Sequence, residues 1–123
     1  MRFTSLERAV LDEICNHRLQ DGAALRALFA AATVISRENT GHGFYTYFDL
    51  GALGSGVLDP LIDGPIAYMK DMGPGMTMGF ILWPQTETPA CMEGYQNSDD
   101  RGETVNLKLR DLASLQFDRF EWV

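Results

Sequence analysis

The period of the apolar pattern changes once along this chain, near residue 33, and that change constrains the fold more than any other feature. Before it, apolar residues recur at helical spacing; after it, they alternate or cluster in short runs bounded by Gly and Pro. Leu6, Val10, Ile14 and His17 make a helical stripe, with Glu7, Arg8, Asp12 and Glu13 off it. Thr4-Ser5-Leu6-Glu7 reads as a capping box, in which Thr4 and Glu7 satisfy each other's free backbone N–H groups. The spacing predicts a helix over about residues 5–18. Asp21 can cap a second helix, and Ala23 to Ala32 is rich in strong helix formers, with Leu25, Leu28, Phe29 and Ala32 along one side.

From Thr33 the chain turns β-like. Thr33-Val34-Ile35 is β-branched, and Phe44 to Leu50 alternates, with Phe44, Thr46, Phe48 and Leu50 on one face and Tyr45, Tyr47 and Asp49 on the other. Thr40-Gly41-His42-Gly43 between them is a turn, so residues 33–39 and 43–50 are expected to form a hairpin. The stretch Gly51 to Gly56, with Pro60 and Asp63-Gly64-Pro65 after it, reads as a loop with a short strand at Ile66 to Met69. Met76 to Trp83 is apolar on both faces, which suits a central strand. Ala90 to Tyr95 is the expected return strand, with Pro89 tolerable only at a strand start or edge. Asn97 to Glu103 is a polar loop, and Val105, Leu107 and Leu109 alternate with Asn106, Lys108 and Arg110 like another strand. The tail, with Leu115, Phe117, Phe120 and Trp122, should dock as a last element, a helical turn or a strand.

Helices followed by strands point to an α+β fold: one domain over residues 1–123, two N-terminal helices packed on an antiparallel sheet of about five strands. A doubly wound fold would need alternating strands and helices. The 46% apolar and aromatic content is ample for one core.

Charge narrows the partners. Lys and Arg total 10 against 17 Asp and Glu, a net charge of −7, and the cations are scattered. Nucleic acid and anionic membranes demand clustered cations, so neither is expected as a partner. A basic protein or a cationic ligand suits the field better. The longest apolar stretch, Ala23 to Ile35, is broken by Arg26 and too short to span a bilayer. The chain shows no export signal, so a cytoplasmic location is expected, with Cys15 and Cys91 as reduced thiols.

Chemistry-bearing residues are few. His42 between two glycines presents an imidazole, and Glu38 or Glu93 could pair with it as a general base. A strand sends Arg37 and Glu38 to opposite faces, so at most one of them can serve His42. Arg37, Tyr45 and Tyr95 are the candidate binding residues. Gly51-x-x-Gly54-x-Gly56 lacks phosphate-loop spacing, and Ser55 lacks the full nucleophile-elbow pattern. Cys15 and His17 point to different sides of one helix, and no metal site or cofactor is expected.

Three segments carry a resemblance. Arg37-Glu38-x-Thr40-Gly41-x-Gly43-Phe44, then Gly79-Phe80-Ile81-Leu82, then Met92-Glu93-Gly94-Tyr95 resemble an uncharacterised family of small bacterial proteins with Thr-Gly-x-Gly-Phe and Gly-Phe-x-Leu…Leu-Glu-Gly-Tyr segments. The chain departs at Met92, where Leu is usual, and at the Pro84–Pro89 turn, where an Asp-Gly hairpin is usual. The resemblance implies a bacterial, single-domain, cytoplasmic protein and brings no catalytic residues with it.

The expectation from sequence is therefore a protein-binding module, an inhibitor or immunity-type factor among the options. Of Tyr45, Tyr47, Trp83, Met76 and Met78, some are candidates to face outward and most are expected in the core. The alternatives are a small enzyme using His42 with a carboxylate, or a homo-oligomer that buries an exposed sheet face.

Overall fold

A computed structural model describes residues 1–54, 61–98 and 101–123. Ser55, Gly56 and Pro60, singled out above, lie outside the described residues. The first helix, α1, spans Ser5–His17, and the capping box is formed in full: Glu7 N–H donates to Thr4 Oγ1 at 3.1 Å and Thr4 N–H to Glu7 Oε1 at 2.8 Å. Leu6, Val10 and Ile14 are buried as the stripe predicts, but His17 is exposed. The second, α2, spans Gly22–Ala31. Asp21 precedes it without a side-chain cap, because its carboxylate is taken by a two-pronged pair with Arg18, each contact at 2.7 Å. Gly22 is needed for close helix approach, since a Cβ there would overlap the Cys15 carbonyl.

The sheet is antiparallel and has seven strands, not about five. They are β1 (Thr33–Asn39), β2 (Gly43–Asp49), β3 (Ile62–Asp63), β4 (Ile66–Met69), β5 (Thr77–Trp83), β6 (Ala90–Asn97) and β7 (Phe117–Glu121). Their order is β1-β2-β6-β5-β4-β7, with β3 also on β5. Both β3 and β4 lie along one edge of β5, separated by Gly64-Pro65. Their registers on β5 differ by one residue, and the slip falls at this dipeptide, where Pro65 has no N–H to give a ladder. Within β1 the register slips between Val34 and Ser36, a bulge that leaves Ile35 exposed.

One open assignment is decided and one changes. The tail supplies β7, paired with β4. Residues 105–110, expected as a strand, instead hold a 3-10 turn over Leu107–Leu109. The Asn106 carboxamide accepts from Lys108 N–H, Leu107 N–H donates to the Gly41 carbonyl at 2.8 Å, and Asn39 donates to the Leu107 carbonyl at 2.9 Å. Those bonds fix a turn where alternation alone suggested extension. Only Leu107 of the three alternating residues is buried, and Leu109 is exposed.

One face of the sheet carries the core. Phe48, Thr46, Met92, Leu82, Phe44, Phe80, Met78 and Ala67 point to it and meet Leu6, Val10, Ile14, Leu25 and Phe29 of the helices. Phe3 and Phe29 both meet Phe48 edge-on. Leu107 and Leu115 extend the same core. The tail is fastened by Trp122, whose ring stacks on His17 at 3.9 Å and whose indole N–H donates to Glu13 at 3.1 Å.

A charged pair sits inside this core. Glu7, off the apolar stripe and expected at the surface, is fully buried. Its carboxylate accepts from Arg37 at 2.6 and 3.0 Å and from the Thr46 hydroxyl, besides Thr4 N–H. Arg37 also donates to the Arg2 carbonyl at 3.0 Å. Removing a carboxylate from water is costly, and four donors around it offset that cost.

Candidate functional site

Because both helices lie on one side, the other face of the sheet is free of them. Register places its rows directly. Ser36, Tyr47, Cys91 and Trp83 run across β1, β2, β6 and β5, and Glu38, Tyr45, Glu93 and Ile81 form the next row, continued by Asp63. Tyr95 lies between Gly43 and Gly79 in the third row. The tyrosines at 45 and 47 stack with ring centroids 6.4 Å apart, and Trp83 donates its indole N–H to Glu93 at 3.0 Å. The Glu93 charge, with burial adding to it, pushes the Tyr45 phenol above its ordinary pKa. Burial does the same to Tyr47 and raises the Cys91 thiol to about 11.

Sign separates the two faces. Among the residues of β1, β2, β3, β5 and β6, the only cation is Arg37, and its side chain turns to the helices and Glu7. Glu38, Glu93 and Asp63 stand on the open face, where the cation Arg119 of β7 lies over the Tyr68 ring at the far edge.

The sequence-predicted residues sort as follows. Tyr45, Tyr95, Glu38 and Glu93 share the open face. Arg37 does not join them. Glu93 is half-buried on a central strand, since β6 has neighbours on both sides. His42 is exposed in the β1–β2 turn, and its Nδ1 meets Thr104 Oγ1 at 3.1 Å. A hollow of about 180 Å³ brings His42, Tyr45, Glu93 and Tyr95 together around Gly43. Of the set in which only some residues are expected to face outward, Met76 and Met78 are buried in the core.

The three resembling segments meet in space, and packing accounts for their glycines. Phe44, Gly94 and Phe80 are one row, and a side chain at Gly94 would displace the Phe44 ring. Gly79 leaves room for the hydroxyl end of the Tyr95 ring. Asp63 and Cys91 were not singled out for this face. Only the pairing register reveals them, and no local signal encodes it.

A second groove of about 380 Å³ runs between the helices over Phe3, Leu11, Cys15 and Phe29, with the Asp12–Arg26 ion pair on its rim. Among the described residues no cluster could hold a metal ion, and no helix is long and apolar enough to cross a membrane. Comparison with family models, curated proteins and solved structures finds no match to this chain.

Proposed function

We propose that this domain is a protein-binding module that docks a basic partner on the helix-free face of its sheet. One observation carries the reading: the face presents Tyr45, Tyr47, Trp83 and Tyr95 with Glu38, Glu93 and Asp63, while the only cation on those strands is spent on the opposite side. Aromatic rings give contact area at low entropic cost and attract cations, and carboxylates steer a basic surface into place. Occlusion of a basic enzyme surface, as an inhibitor or immunity-type factor would do, is one form of this activity. A bacterial, cytoplasmic setting belongs to the same proposal and comes from the sequence resemblance.

The test is NMR titration with a Lys/Arg-rich peptide. Shifts are expected at Tyr45, Tyr47, Trp83 and Tyr95, and their loss is expected in a Glu38→Lys, Glu93→Lys double variant. Shifts confined to the helices or to the acidic loops would overturn the reading.

A small enzyme has one observation in its favour, the shared hollow of His42 and Glu93. Against it, the hydrogen bonds of these two side chains run to Thr104 and Trp83, not to each other.

A further inference from the structure

The hollow over Gly43 is built into the backbone. A Cβ at Gly43 would overlap the Gly94 carbonyl oxygen and lie 3.0 Å from Tyr95 Cα, so no side chain can fill the space. Tyr95, the cross-strand partner of Gly43, sets its hydroxyl end over Gly79 on β5 and so leans away from the hollow. Tyr45 stands two residues further along β2, with Glu93 directly across from it. His42 completes the wall, held by Thr104.

The polar groups around the hollow differ in what they have left to give. Gln96 spends its carboxamide on the His42 carbonyl and on both backbone groups of Val105. Thr40 bonds the backbone of Gly43. Glu93 accepts from the Trp83 indole N–H, also bonds the Tyr45 hydroxyl, and takes part in none of the ion pairs among the described residues. A carboxylate has acceptor sites for about four hydrogens, so Glu93 keeps room for two more. The space is below the roughly 300 Å³ at which cofactor-sized pockets begin, and it suits one side-chain head.

We propose that this hollow receives an arginine side chain of the basic partner, a proposal that rests on the docking role of this face. The guanidinium fork donates two N–H bonds to Glu93, and its flat surface lies against the Tyr45 ring. A lysine ammonium can supply the charge but neither the fork nor the stacking plane, and it holds its water more tightly.

The test compares two short peptides, identical except for a central Arg or Lys, titrated at millimolar concentration by NMR. The Arg peptide is expected to bind about tenfold more tightly, and Glu93→Gln is expected to remove about that factor. Glu87→Gln, the same charge change in the exposed Pro84–Pro89 turn, should leave the affinity unchanged. Matching amide spectra confirm that both variants are folded. Equal affinities for the two peptides, with shifts still on the open face, would overturn the arginine pocket and leave the docking role standing. No shifts on that face from either peptide would overturn both.

Discussion

At the scale of the residue, the turn around His42 and the carboxylate of Glu7 have opposite legibility. Gly41 takes φ +91 and Gly43 is pressed on the Gly94 carbonyl, so the two glycines serve different needs. Replacing either with Val is expected to cost about 1–3 kcal/mol, whereas His42→Ala should stay within about 0.5 kcal/mol, as read by thermal denaturation. A large loss with His42→Ala alone would contradict the exposed placement of its ring. The glycines announce themselves in sequence because backbone geometry is local. Glu7 does not: its capping role is legible, but its burial depends on Arg37 and Thr46, 30 and 39 residues away. Arg37→Leu is expected to destabilise by about 3–5 kcal/mol, because it leaves a buried charge uncompensated. Adding Glu7→Leu should recover part of that loss in urea unfolding, and a simply additive pair would refute the coupling. Cys91 gives a pH dependence. Its thiol rises from 9.0 to about 11 because burial disfavours the thiolate. A raised folded pKa contributes stability that is full below 9 and lost as pH climbs through about 11. The contribution is on the order of 3 kcal/mol. Cys91→Ala should flatten the alkaline limb of the stability curve over that window.

At the scale of the element, what could be read was what local periodicity decides. The helices, the β1–β2 hairpin, and strands β5 and β6 all follow from spacing and turn residues. The segment 105–110 alternates as convincingly as β2, yet it curls into a turn because distant side chains claim its backbone. Gln96 alone accepts from Val105 N–H at 2.9 Å and donates to its carbonyl at 2.8 Å. Gln96→Ala is therefore expected to speed amide exchange at Val105 and Leu107 while β5 and β6 stay protected. Uniform acceleration across the sheet would show that the carboxamide supports the whole fold instead. The open face was legible in part for the same reason: alternation puts Tyr45 and Tyr47 together, but only register sets Glu93 opposite Tyr45 and Asp63 beside Ile81.

At the scale of the molecule, the fold is a sheet with one dry side and one charged side. Docking of a second copy by this face would bring Glu38, Glu93 and Asp63 of both copies together, so light scattering at neutral pH and low salt is expected to show a monomer. A dimer abolished by Glu38→Lys would contradict that. The two outermost strands carry a separate consequence, through the bulge in β1 and the composition of β7. A stray chain trying to lengthen the ladder meets a kinked strand on one side, and Asp118, Arg119 and Glu121 on the other. Neither border is a flat template for cross-β growth, so crowded protein is expected to stay dispersed instead of seeding fibrils.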